Sequence, residues 1–144
     1  MEDRLNTVAT GTLASSISLQ QLVNNLISNS LSCAIRNRST VVNEIDKGIV
    51  IGATEPKIPE VLEELIATVV ANSCNGEIHI TADVYRDVMT VQIQERNNFN
   101  GYALSFSVNS IEAEATSLGG HISINGPQKK ITTISFSFPN QFAA

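Results

Sequence analysis

Apolar positions change their spacing several times along the chain, and each change marks an element. From Ser18 to Arg36, residues Leu19, Leu22, Val23, Leu26, Ile27, Leu31, Ala34 and Ile35 recur at helical spacing, with Ser18 as an N-cap and Asn37 as a terminator. "STVVNEIDKGIVIGA" then sets two short β-branched runs around Asp46-Lys47-Gly48, whose glycine can take the positive φ of a tight turn, and predicts a hairpin. In "EPKIPEVLEELIATVVANSCNG" the residues Ile58, Val61, Leu62, Leu65, Ile66, Val69 and Val70 fall on one stripe, which predicts a second helix closing near Asn75-Gly76.

Alternation returns in "GEIHITADVYRDVMTVQIQE", a second predicted hairpin turning near Arg86-Asp87. After a polar loop, "ERNNFNG", the positions Val108, Ile111, Ala115 and Leu118 mark a third helix, which Gly119-Gly120 ends. Two strands follow, "HISING" and "ITTISFSFP"; in the latter Ile134, Phe136 and Phe138 point one way and Ser135 and Ser137 the other. Helices alternating with strand pairs suit an α/β two-layer sandwich, a mixed sheet with helices on one face.

Residues 1–17 are rich in Ser, Thr, Ala and Gly without a period, so a loosely held arm is expected there, leaving 18–144 as the domain. A chain of 144 residues can bury a core of its own without a metal or disulfide. The net charge of −5, with nine Lys and Arg scattered rather than clustered, argues against nucleic acid and anionic membranes as partners. No apolar run approaches a membrane span and no signal peptide is legible, so a cytoplasmic location is expected. Cys33 and Cys74 lie in segments that read as helical, with no CxxC or His cluster, and are expected to be buried free thiols.

These segments also carry a resemblance, over roughly residues 18–139. "VLEELIATVVANSCNGEIHITA" is similar to a helix and strand of the form vLxNLLxNAxKyt..GxIxI. "LSFSVNSIEAEATSLGGHISI" is similar to LGLSIVKxIVExHGGxIxV, and "QKKITTISFSFP" to a closing GxGTTFxFxLP; "SLQQLVNNLISNSLSCAIRNRSTVVNEI" matches the leading helix and first strand. Their order resembles the C-terminal ATPase domain of sensor histidine kinases, the Bergerat fold shared with gyrase, the mismatch-repair ATPases and the heat-shock chaperone.

The resemblance implies site residues position by position. Glu64 falls where a polar side chain polarises water, and Thr68 where an Asn carbonyl coordinates Mg²⁺; a Thr hydroxyl is an oxygen donor of shorter reach. Glu95, Asn97 and Phe99 fall on DxGxG, whose Asp accepts the adenine amino group. Glu95 is one methylene longer than that Asp, and Asn97 and Phe99 replace glycines that let the backbone pass close to the base. Gly101 stands alone where a glycine-rich lid cradles phosphates, followed by Tyr102, Ala103, Leu104 and Ser105 in what reads as a short loop. Thr132 matches a Thr near the adenine.

Neither His79 nor His121 lies on a helix as a phosphoacceptor would, so both read as ordinary strand residues. The expectation is a signal-transduction module of two-component type, a pseudokinase without competent ATP binding or kinase activity and with no cofactor, acting through a protein partner or self-association. The alternative is a weak but genuine ATP-binding domain of a two-component sensor or anti-sigma-type kinase, using ATP and Mg²⁺ through Glu64, Thr68, Glu95 and Thr132. A third reading is an unrelated α/β binding module.

Overall fold

The computed structural model describes residues 16–52, 57–97, 101–126 and 130–140. In chain order the elements are β1 (Ser16–Ser18), α1 (Leu19–Asn29), α2 (Leu31–Arg36), β2 (Thr40–Asn43), β3 (Val50–Gly52) and α3 (Lys57–Ala71). There follow β4 (Glu77–Tyr85), β5 (Val88–Arg96), α4 (Gly101–Asn109), α5 (Glu112–Ser117), β6 (His121–Asn125) and β7 (Thr132–Pro139). The main sheet has five strands in the order β2-β4-β5-β7-β6, and β1 pairs with β3 in a separate two-stranded sheet. Only β2 and β4 run parallel within the main sheet; the other three neighbours are antiparallel. The mixed α/β sandwich is as expected.

Strand alternation separates the two faces of the sheet. Ile78, Ile80, Met89, Val91, Ile93, Ile134, Phe136 and Phe138 are buried and form one core with α1, α3, α4 and α5. Thr90, Gln92, Ser135 and Ser137 face the other way and bond across strands, Thr90 Oγ1 to Ser137 Oγ at 2.9 Å. All seven stripe residues of α3 are buried. That helix is the centre of the helical layer, and α1, α2, α4 and α5 all touch it.

Two helix ends follow local sequence chemistry. Ser18 caps α1, its side chain accepting from Gln21 N. At the end of α5, Gly119 takes φ +76°. Gly120 N donates to Ala115 O and Gly119 N to Thr116 O, a Schellman closure that turns the chain into β6. A side chain at Gly120 would meet Ser137 O at 2.7 Å.

Several expectations need correction. The segment 40–52 is not a hairpin: β2 pairs with β4 and β3 with β1. Between them Ile45 is buried, its carbonyl held by Gln20 Nε2 and its N–H by Asn43 Oδ1, so the connection is anchored to α1 rather than folded back. Gly48 does not have positive φ. A parallel β2–β4 pair requires a crossover, which the path through α3 supplies. The first helix is two, broken at Ser30, and the third is α4 and α5. Residues 102–105 are the first turns of α4 rather than a loop. Ser16 and Ile17, assigned by composition to the arm, form β1 with Ser18, and Ile17 packs on the core. Cys33 is half-buried, whereas Cys74 is exposed, because α3 ends at Ala71 before reaching it. Phe99 lies outside the described residues.

Candidate functional site

At one end of the sheet three chain connections meet in a knot of polar side chains. Ser73 follows α3, Ser39 precedes β2, and Glu95 is near the end of β5. Ser73 Oγ donates to Glu95 Oε2 at 2.9 Å, and Ser39 Oγ lies 2.7 Å from Ser73 Oγ. Each hydroxyl has one proton, so with Ser73 donating to the carboxylate Ser39 donates to Ser73. Gly76 N in turn donates to Ser39 Oγ at 3.1 Å. All four residues are buried, and a side chain at Gly76 would collide with Glu95 Oε2 and Ser73 Oγ. Burial raises the Glu95 carboxyl above its ordinary value, and the Ser73 bond opposes this. Its other oxygen, Oε1, is buried without a hydrogen bond among the described residues.

Asparagines extend the knot. Asn97 has φ +67° and donates from Nδ2 to Asn75 O at 3.0 Å. Asn75, itself at φ +54°, donates its N–H to Asn37 O, and Asn37 Nδ2 donates to Val70 O. The left-handed region is one that Asn tolerates better than most residues. Thr132, opposite Glu95 in the β5–β7 ladder, is fully buried, with Oγ1 donating to Gly126 O at 3.1 Å.

The exposed side of α3 makes a different site. Thr68 lines a groove of about 510 Å³ between α3 and α4, together with Ala67, Ala71, Asn72, Phe106 and Ser107. The Asn72 side chain is turned onto α3 itself, Nδ2 donating to Thr68 O at 2.9 Å. One turn before Thr68, Glu64 meets Glu114 of α5. Their side-chain hydrogen bond, desolvation, and the charges of Glu114, Glu60 and Glu63 push the Glu64 carboxyl up to about 7. Among the described residues no group of three His, Cys, Asp or Glu could hold a metal ion, and no helix is long and apolar enough to cross a membrane.

The expected site residues thus fall into two groups. Glu95, Asn97 and Thr132 belong to the polar end of the sheet, and Glu64 and Thr68 to the outer side of α3; Gly101 is buried at the start of α4. Ser39, Ser73 and Gly76 were missed, although "RNRS" and "SCNG" are polar turn sequences that close helices at matching points. His79 lies between Glu44 and Glu77, its nitrogens 3.1 and 3.2 Å from their carboxylates, and His121 is exposed at the start of β6.

Solved structures share the fold. The catalytic domain of histidine kinase ThkA, in a nucleotide-free form, superposes with a TM-score of 0.67 at 15% identity, over 88% of this chain and 95% of that one. A histidine kinase from Burkholderia phymatum gives 0.73 at 11% identity, over 90% and 71%. Full-length ShkA in complex with AMPPNP gives 0.72 at 12%, over 90% of this chain and 31% of ShkA. The chain carries the histidine kinase-like ATPase fold. ThkA has also been solved in complex with the response regulator TrrA, a structure matched with a TM-score of 0.63 at 19% identity. No protein-family profile and no curated protein matches the sequence.

On this histidine kinase-like fold, the resemblance assigns Glu95 to an adenine amino group and Thr68 to Mg²⁺. In the structure the Glu95 side chain is turned into the protein, 2% exposed, with Oε2 engaged by Ser73. Thr68 is half-buried beside small residues of α3 and the ring of Phe106. Of the six assigned residues that lie among the described ones, Thr68 alone lines the groove.

Proposed function

We propose that the chain is a signalling module that keeps the histidine kinase-like ATPase fold but works through protein contacts, without competent ATP binding or kinase activity, in the cytoplasm. The observation that carries this reading is the Ser39–Ser73–Glu95 chain: the carboxylate assigned to the base is used to tie β5 to the ends of α2 and α3. A nucleotide with its cation fits the residues present poorly. Glu95 is closed in, Thr68 offers a short hydroxyl, and Glu64 faces carboxylates that give it no counter-charge. The solved ThkA–TrrA complex supports a protein as the class of partner.

Thermal unfolding with ATP and Mg²⁺ tests the proposal. A ligand that binds only the folded state stabilises it by RT ln(1 + [L]/Kd), about 2.7 kcal/mol at a hundredfold excess over Kd. The expected outcome is no Mg²⁺-dependent rise in Tm at millimolar ATP. A rise of several degrees refutes the proposal and restores the ATP-binding alternative.

A further inference from the structure

The outer side of the helical layer joins an open groove to a run of carboxylates. Ala67 and Ala71 line the groove between α3 and α4, with Phe106 facing them. Phe106 is 80% exposed, and Tyr102, one turn earlier on the same side of α4, is 71% exposed. A lone exposed apolar residue is ordinary, but paired aromatics beside a groove mark a contact surface.

Toward the start of α3 the exposed side continues as Glu60, Glu63 and Glu64, and α5 adds Glu112 and Glu114. Glu63 accepts from Asn29, a neutral partner, and the charged neighbours that act on Glu64 are all acidic. Lys57, at the start of α3, has interactions of its own.

We propose that this surface docks a basic amphipathic helix of a partner protein, its apolar side against Phe106, Ala67 and Ala71 and its Lys or Arg side chains over Glu60, Glu63, Glu64 and Glu114. Adjacent helices form a groove suited to the apolar side of a third, and the alanines leave room for close approach. Cations there relieve the repulsion that keeps a proton on Glu64. A second copy is a poor occupant, because twofold pairing of a chain with net charge −5 sets this acidic side against itself. The inference rests on the reading that this module works through protein contacts, and names the surface and the partner's chemistry.

A labelled synthetic helix with Leu on one side and Lys on the other, titrated into the full chain and followed by fluorescence anisotropy, tests it. Saturable binding is expected, weakened about tenfold by Phe106→Ala, as for an interface anchor. Because that ring is exposed, the variant keeps the wild-type Tm. Joint Glu60→Gln, Glu63→Gln and Glu64→Gln weakens binding and removes most of its salt dependence, whereas Asp83→Asn on β4 leaves it unchanged. Binding indifferent to Phe106→Ala, or reduced as much by Asp83→Asn, is general attraction to an acidic protein and overturns the proposal. A dimer in sedimentation that Phe106→Ala dissolves assigns the groove to a second copy and overturns it too. Mg²⁺-ATP titration of the same protein decides the preceding reading separately.

Discussion

Ser73 Oγ stands 2.9 Å from Glu95 Oε2, so the exit of α3 and the end of β5 are joined through a buried hydroxyl–carboxyl bond. Ser39, bonded to Ser73, brings the start of β2 into the same chain, and Thr40 N bonds to Gly76 O where β2 meets β4. The end of the sheet where the resemblance places a nucleotide base is therefore held by side chains bonded to one another, with Glu95 Oε1 left without a hydrogen bond among the described residues.

Gly76 leaves the space this bond needs. Gly76→Ala forces its methyl onto Glu95 Oε2 and Ser73 Oγ, and overpacking of a tight interior costs on the order of 1–3 kcal/mol. Gly48→Ala is the control: nothing lies within 4 Å of its Cβ position and its φ is not left-handed, so a change within about 0.5 kcal/mol is expected. Urea denaturation of both variants checks this, and equal stabilities would show that the knot yields freely.

Glu95 makes stability depend on pH. Burial raises its folded-state value above the ordinary 4.5, so the folded protein binds the proton more tightly than the unfolded chain. The contribution is complete below the ordinary value and is lost as pH rises through the raised one. Glu95→Gln keeps an acceptor for Ser73 and cannot ionise, so its stability is expected to fall less than the wild type's as pH rises from 4.5 toward neutrality. Parallel profiles would mean that Glu95 titrates as an exposed acid.

The core of α3 gives a direct test of the helical layer. Leu65 and Ile66 are buried, at 0% and 2% exposure, and truncating either to Ala loses transfer energy and leaves a cavity, about 2–5 kcal/mol each. A neutral result for either by chemical denaturation would place α3 differently against the sheet.

Much of this fold was legible because its signals are local. The seven-residue stripe of α3, the turn at Arg86 and the alternation of β7 all depend on near neighbours in sequence. The segment 40–52 misled because its β-branched runs find partners far away, β4 for one and β1 for the other. The site was half legible. Glu95 and Thr132 stand opposite each other in the sheet, but which way the carboxylate turns depends on Ser39 and Ser73, which carry no periodic signal. The groove depends on α4 starting at Gly101, within a stretch whose apolar residues are too evenly spread to show a helical stripe.

Glu64 and Glu114 supply the last prediction. The hydrogen bond to Glu114 between α3 and α5 raises the Glu64 carboxyl, and desolvation and the charges of Glu114, Glu60 and Glu63 add to the effect, so Glu64 titrates near 7. Because that value lies above the ordinary 4.5, the Glu64 proton favours the folded state below 4.5, and the benefit is lost as pH rises through about 7. Carbon-detected NMR of the side-chain carboxyls reads this residue by residue, which separates it from Glu95. In the wild type the Glu64 midpoint is expected near 7, and in Glu114→Ala it should fall toward the ordinary range because the hydrogen bond that contributes most to the rise is gone. Saturation with the Leu–Lys helix should lower it too, since cations beside Glu64 favour its charged form. A Glu64 midpoint that stays in the ordinary range in the free wild type would show that the α3–α5 carboxyl pair does not form in solution.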